Sequence, residues 1–178
     1  AQVIDAQGKW ITPGIIDVHS HLGVYPNPQV ESHSDGNEMT SPNTSEVWAE
    51  HSVWPQDPAF ETARAGGVTS LQILPGSANL FGGRGVTLRN VPSTTMQGMK
   101  FIDAPYGLKM ACGENPKRVY GRKKVLPSTR MGNVAGYRTA WLAATEYKRA
   151  WDKYEQDYSA GKNVTAPKRD LELDTLMG

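Results

Sequence analysis

The stretch PGIIDVHSHLG, residues 13–23, constrains this chain more than any other feature, because two of only four histidines stand one residue apart at the end of an apolar run. An apolar, β-branched run bounded by Pro-Gly and Gly is typical of a buried strand, here residues 15–21. Side chains two positions apart on a strand share a face, with Cα atoms roughly 6.5 Å apart. We therefore expect one face to carry Asp17, His19 and His21, and the other to carry Ile16 and Val18.

This histidine pair has two interpretations on the residues alone. Imidazole is the commonest metal ligand, and two rings on one strand face can hold one cation at metal-to-nitrogen distances of about 2.0–2.1 Å. An offset of one or three residues would put the rings on opposite faces of the strand. The same spacing also fits two hydrogen-bonded polar residues at a strand end, with no metal.

Length and composition indicate one folding unit of 178 residues. Its 19 basic and 18 acidic residues nearly cancel, so net charge favours neither nucleic acid nor a membrane surface as an obligate partner. The one cysteine, Cys112, has no partner for an internal disulfide, and no apolar run is long enough to cross a bilayer. The start, AQVIDAQGKW, has neither an initiator methionine nor signal-peptide features, which indicates a piece of a longer chain and leaves the compartment open.

The first third of the chain predicts a hairpin and a long loop around the histidine strand. Residues 1–10 read as two short strands with a turn at Gln7-Gly8. Residues 23–55 are rich in Pro, Asn, Ser and Glu, and loops of this length inside compact domains are usually functional or disordered.

The remainder predicts strands that alternate with helices. Asp57 caps a helix over residues 58–65, and two glycines end it. The other predicted elements are strands over 68–74, near 86–91 and within 101–111, a helix from the cap Asn133 to about Tyr158, a linker over 161–167, and a last helix over 169–177. Aromatic residues recur every three or four positions on the long helix, which indicates core packing. This alternation predicts an α/β fold with a parallel sheet.

Residues 3–23, VIDAQGKWITPGIIDVHSHLG, resemble the N-terminal signature of the amidohydrolase superfamily. The resemblance implies a small β-sandwich, with residues 1–12 as its remnant, and a distorted (β/α)8 TIM-type barrel, with residues 13–178 as about its first half. It also implies that His19 and His21 bind a divalent metal, usually zinc, which activates water to hydrolyse an amide or another C–N bond. Asp17 would orient a ligand or the neighbouring backbone.

A second stretch, GLKMACGE at residues 107–114, resembles the fourth barrel strand of imidazolonepropionase-like and prolidase-like members. In such members the lysine is carboxylated and bridges two metals, so the resemblance assigns this role to Lys109, with Glu114 as a rival bridging ligand. It suggests a dipeptide or a cyclic amide as the substrate. Catalytic groups of these barrels gather at the carboxyl ends of strands, where His19, His21 and Lys109 all fall.

The superfamily site also uses histidines from the fifth and sixth strands and an aspartate from the eighth, which this chain does not supply. His33 and His51 fall in the predicted long loop, where surface or substrate-loop positions suit them. A closed barrel takes about 250 residues. We therefore expect a truncated fragment that is poorly active or inactive alone, with exposed strand edges through which it can form a homo-oligomer.

Two other functions remain open at this stage. The first is a non-catalytic, metal-binding or protein-interaction module whose open strand edges pair with a second chain. The second is nucleic-acid binding through the basic loop KRVYGRKK, residues 117–124, although no known nucleic-acid motif surrounds it.

Two further features are interpreted without a separate function. The stretch GGRG, residues 82–85, lacks the spacing of dinucleotide and P-loop motifs, so we predict a flexible active-site loop. Cys112 has no histidine near it in sequence, and we predict a small buried residue at a strand end rather than a nucleophile.

Overall fold

Two small sheets flanked by helices make up the computed structural model, which describes residues 2–178. The chain is therefore mixed α/β, as expected. In order, its elements are β1 (Ile15–Ser20), α1 (Pro58–Ala65), β2 (Val68–Ile73), β3 (Phe81–Arg84), β4 (Val86–Arg89), α2 (Met96–Met99), β5 (Leu108–Met110), α3 (Glu114–Arg122), α4 (Arg130–Ser159) and α5 (Leu171–Met177). Two single 3-10 turns, Glu31–His33 and Ala49–His51, lie between β1 and α1.

The unit formed by β1, α1 and β2 agrees with the prediction. Asp57 accepts a hydrogen bond of 3.0 Å from an amide of the first turn of α1. Pro58 is the first residue of the helix, where a backbone N–H would have no partner within the helix, so its absence costs nothing. The helix ends at Ala65 with Gly66 as its C-cap, and Gly67 has a positive φ of 91°. β2 then runs parallel to β1.

Beyond β2, the prediction of a parallel sheet is wrong. β4 pairs antiparallel with β2, which gives the order β1-β2-β4, and β3 pairs antiparallel with β5 in a second sheet. Parallel neighbours need a long crossover, usually a helix. The link between β2 and β4 contains strand β3 and no helix, so the chain returns in the opposite direction.

Strand β1 lies at the edge of its sheet and is less buried than predicted. Its side chains Ile16 and Val18 are 68% and 69% exposed. The cause is that β1 pairs only with β2, and α1 packs against β2, so the outer side of β1 stays uncovered within residues 2–178.

The glycine-rich stretch predicted as a flexible loop is mostly strand β3. A Cβ on Gly83 would lie 2.5 Å from the carbonyl oxygen of Val47, and the Arg84 amide donates to that oxygen at 2.8 Å. Gly83 also has a φ of 106°. Position 83 therefore requires glycine because another backbone segment lies close to it and its φ is positive, and not because the segment is flexible.

Residues 23–55 form a loop, as predicted, and two buried polar side chains hold it in place. Asp57 accepts a hydrogen bond of 2.9 Å from the Gly23 amide. The side-chain amide of Asn79 donates to two loop carbonyls at 2.5 and 2.8 Å. Both residues are buried, so the loop has a defined course over the sheets.

The apolar core consists of two clusters. The first lies among β2, β4, α1, α2 and the loop, with buried members Val24, Val53, Phe60, Leu71, Ile73, Val86, Leu88, Met96 and Met99. The second joins β3 to α4 and α5 through Leu80, Phe81, Ala144 and Leu176. The aromatic stripe of α4 packs as predicted near its start, where Tyr137 and Trp141 meet Phe81 edge to face, whereas Tyr158 is 66% exposed.

Helices replace or extend two predicted segments. The basic loop is largely helix α3, because Tyr120 is buried and gives this charged segment a contact with the core. Helix α4 begins at Arg130, and its cap is Thr129, which accepts a hydrogen bond of 3.0 Å from the Gly132 amide. Asn133, the predicted cap, lies inside the helix and is buried. Helix α2 was not predicted.

The predicted N-terminal hairpin is not formed: residues 2–14 contain a turn but no strand, and Ala1 lies outside the described residues. The turn is the expected one, with the Lys9 amide donating to the Ala6 carbonyl at 2.9 Å. A two-stranded hairpin without a packed face is marginal in water. The apolar side chains of this N-terminal segment do not pack against the rest of the chain. The exposed ones include Val3, Ile4, Trp10 and Ile11.

None of the helices within residues 2–178 combines the length and apolar content that crossing a bilayer requires.

Candidate metal centre

The rings of His19 and His21 meet at the carboxyl end of β1, as their spacing predicts. Their centroids are 5.2 Å apart, and the ring planes are nearly perpendicular at 83°. The ring of Tyr25 contacts His21 edge to face, with centroids 5.7 Å apart. Both imidazoles therefore belong to one local cluster at a strand end.

Lys109 reaches the same cluster from the middle of β5. Its Nζ donates to Nε2 of His19 at 3.1 Å, which joins residues 90 positions apart. The lysine is 8% exposed, and its stem lies beside Gly82 of β3, where a Cβ would be 3.5 Å from Lys109 Cγ. Three of the predicted site residues are thus brought together by the tertiary structure.

The electrostatics of this cluster lower the pKa values of both basic groups. Burial lowers the pKa of the Lys109 amine. The neighbouring Lys109 charge, followed by burial and by His21, lowers the pKa of His19. No ion pair in the described part of the chain includes Lys109. Both shifts act against the charged forms of the amine and the imidazole, and the neutral imidazole is the form that can bind a metal.

Backbone contacts orient the two histidines. Nδ1 of His21 donates to the Leu74 carbonyl at 2.8 Å, in the tautomer that leaves its Nε2 free to accept. Asp17 accepts a hydrogen bond of 3.1 Å from the backbone amide of His19. This contact is to the neighbouring backbone, which is one of the two roles predicted for Asp17.

The other sequence candidates lie apart from this cluster. Glu114 is the exposed first residue of α3, and no three His, Cys, Asp or Glu side chains among residues 2–178 are close enough to share a metal ion. His33 packs against Trp54 with ring centroids 4.6 Å apart, and His51 lies near Trp48. Cys112 is exposed, so the prediction of a buried cysteine is wrong: it lies after the end of β5, in the turn before α3.

Comparison with known proteins gives this arrangement a family context. No family model matches the chain. The crystal structure of an amidohydrolase from Thermotoga maritima MSB8 is similar with a TM-score of 0.82 and 40% sequence identity, over 98% of this chain and 46% of that one. The chain belongs to the amidohydrolase superfamily.

Two curated proteins are also similar to this amidohydrolase-superfamily chain in sequence. Amidohydrolase tasK from Hapsidospora irregularis is 36% identical over 163 residues, which are 86% of this chain and 17% of that protein. A 5-methylthioadenosine/S-adenosylhomocysteine deaminase from Halalkalibacterium halodurans is 40% identical over 47 residues, 26% of this chain and 10% of that protein. The chain thus spans less than half the length of each relative.

The structure adds two cavities that sequence reasoning missed. A cavity of about 280 Å³ is lined by His21 together with Arg118 and Asn115 of α3. A larger one, of about 670 Å³, lies between the loop of residues 23–55 and the strand-end residues Pro75 and Gly82. In the sequence, Arg118 was marked only as one residue of the basic segment 117–124, and nothing there distinguished it from the other basic residues.

Proposed function

We propose that this protein is a metal-dependent hydrolase of the amidohydrolase type, which cleaves an amide or another C–N bond with an activated water. The observation that carries the proposal is the convergence of His19, His21 and Lys109 at one strand end. The names of the similar proteins, amidohydrolase and deaminase, support the same reaction class.

The three residues suit a divalent metal by the chemistry of their donor atoms. Imidazole nitrogens are zinc ligands; Nε2 of His19 lies 3.1 Å from the Lys109 Nζ, and the Leu74 contact leaves Nε2 of His21 free. We propose zinc as the metal, in one or two ions, because imidazole nitrogen with an anionic oxygen is a common zinc ligand set. A bound metal supplies Lewis-acid activation of water and of the carbonyl under attack.

We propose Lys109 as the source of the anionic oxygen, through carboxylation of its amine. Burial lowers the pKa of Lys109, which increases the fraction of free amine at neutral pH. In this step the amine nitrogen forms a bond to the carbon of CO₂, and the nitrogen releases one proton to solvent. The product carries a negative charge next to His19, where a cation would be stabilised. Glu114 would need to move from its exposed position to compete for this role.

We further propose that β1, α1 and β2 are the first unit of a (β/α)8 barrel, with residues 1–12 as part of a small β-sandwich. The exposed edge and apolar side of β1 support this, because a neighbouring strand and helix would cover them. A second chain that pairs with this edge would satisfy the same surface, which keeps a homo-oligomer as an alternative. In either case only three candidate ligands meet within residues 2–178, so we expect the 178-residue chain to be poorly active alone.

Zinc content and hydrolysis test the proposal in separate steps. The full-length protein is loaded with zinc, its metal content is measured by mass spectrometry, and turnover is assayed on dipeptides and cyclic amides with bicarbonate present. We expect His19→Ala and His21→Ala to lose zinc and activity, whereas the matched control His33→Ala, outside the cluster, keeps both. Equal zinc content in all three variants, or absence of turnover in the zinc-loaded wild type, would contradict the function.

A further inference from the structure

We infer that the cavity beside His21 binds a carboxylate group of the substrate and that Arg118 recognises it. The inference rests on the proposed function, because it assigns a substrate class to the same site. It is carried by the composition of the 280 Å³ cavity and by the hydrogen bonds that hold Arg118 there.

Charge distinguishes this cavity from the larger one beside it. Among residues 2–178, Arg118 is the only Lys, Arg, Asp or Glu that lines the smaller cavity. Arg118 takes part in none of the ion pairs within residues 2–178, so its charge is available to a ligand. The 670 Å³ cavity has the opposite composition, since no Lys or Arg of the described residues lines it and its acids are Asp35, Glu38 and Glu46. An anionic group is therefore favoured beside His21 and disfavoured in the larger cavity.

A short chain of side chains orients the guanidinium. Ser77 accepts a hydrogen bond of 2.6 Å from the side-chain amide of Asn115, and Asn115 in turn accepts one of 3.1 Å from Nη2 of Arg118. One of the five guanidinium N–H groups is used in this way, which leaves four for a ligand. A planar guanidinium fork matches a carboxylate in a bidentate arrangement.

Polar side chains form part of the remaining wall of the cavity, beside the apolar side chains of Met39, Ala78 and Val119. Asn37 donates to the Tyr25 hydroxyl and accepts a hydrogen bond of 3.1 Å from the Ala78 amide. Both residues crowd Gly76, where a Cβ would lie 2.3 Å from the Asn37 side chain. A carboxylate here would meet hydrogen-bonding groups and would stand in the same cavity as His21. This placement would position the rest of the substrate toward the histidine pair.

Binding of two probes that differ only in charge tests the inference. N-acetylglycine carries a carboxylate, and N-acetylglycinamide replaces it with a neutral amide of similar shape. Calorimetric dissociation constants are measured for the zinc-loaded full-length wild type, Arg118→Met and the matched control Arg122→Met, which removes the same charge one turn along α3. Circular dichroism verifies that each variant is folded.

We expect Arg118→Met to weaken N-acetylglycine roughly 10- to 100-fold, in the range of a lost charge-assisted hydrogen-bonding pair. N-acetylglycinamide should be unaffected, Arg118→Lys should recover part of the loss, and Arg122→Met should resemble wild type. Equal losses in the two Met variants, no preference of the wild type for the carboxylate, or tighter Arg118-dependent binding of inorganic phosphate would overturn the inference. Hydrolysis is scored separately: an inactive protein that retains this binding pattern would refute the proposed function and leave the carboxylate site intact.

Discussion

Lys100 and Lys109 lie nine positions apart in the sequence and have opposite environments. Lys100 donates to Glu50 at 2.6 Å and to the Tyr106 hydroxyl, and these hydrogen bonds raise its pKa. Lys109 meets an imidazole and no carboxylate, and burial lowers its pKa. The surroundings of each amine therefore shift the pKa of the same residue type in opposite directions.

The opposite pKa shifts suit the two lysines to different roles, and the contacts of Lys100 are structural. The charged Lys100 ties Glu50, in the 3-10 turn Ala49–His51 of the long loop, to the segment that leads into β5. The Tyr106 hydroxyl completes the triangle by donating to the same Glu50 oxygen at 3.0 Å. Under the proposed function, Lys109, whose pKa is lowered by burial, is the amine that would be carboxylated and would then bind a metal.

Replacing each lysine with methionine should give the largest difference between the two residues, in catalytic activity and in bound zinc. In the zinc-loaded full-length protein, Lys109→Met is expected to lower kcat/KM roughly 100-fold or more, and to lower bound zinc, because it removes a proposed ligand. Lys100→Met is the matched control, and we expect it to stay within about threefold of wild type, since it changes stability and not the site. Steady-state kinetics and metal analysis provide the readouts. Equal losses in both variants would show that Lys109 also has only a structural role.

A double-mutant cycle measures how much the Lys100–Glu50 ion pair contributes to the free energy of unfolding. Glu50→Gln and Lys100→Met should each lower the free energy of unfolding by about 1–3 kcal/mol, because each leaves a partly buried charge with a weaker partner. The double variant should lose less than the sum of the two, by roughly 1 kcal/mol. Urea denaturation of the chain provides the values. Strict additivity would mean that the ion pair contributes nothing.

The pH dependence of stability gives the smallest effect. Burial acts to raise the pKa of Glu50, but hydrogen bonds from Lys100 and Tyr106 outweigh it and lower the pKa below the usual 4.5. Its stabilising contribution is therefore complete above pH 4.5 and is lost as the pH falls through the lower value of the folded state. For Lys100, whose pKa is raised, the contribution is complete below pH 10.5 and is lost as the pH rises through the higher folded value.

Unfolding curves over these pH ranges show the effect as a difference between wild type and Glu50→Gln that shrinks in acid. Asp152→Asn is a matched control, because its ion pair with Lys148 is exposed and should contribute less than about 0.5 kcal/mol at any pH. A difference that grows in acid would contradict the assigned direction.

The segments that sequence reasoning predicted well are those with local signals. Helix α1 has its cap, its proline and its terminal glycines within eleven residues of chain, and β1 has a two-residue side-chain period. The segments predicted poorly depend on distant partners. Strand β3 forms because it pairs antiparallel with β5, more than 20 positions further along the chain, and α3 is a helix whose Tyr120 reaches the core.

The sequence by itself determined the histidine pair, its shared strand face and the first βαβ unit, because these follow from spacing and local capping. Only the tertiary structure decided that Lys109 meets His19 across 90 positions, and that Arg118 is held in the cavity of His21. The physical reason is that strand pairing and burial bring distant residues together and change their pKa. The residues adjacent in sequence determine neither which group a side chain contacts nor how deeply it is buried.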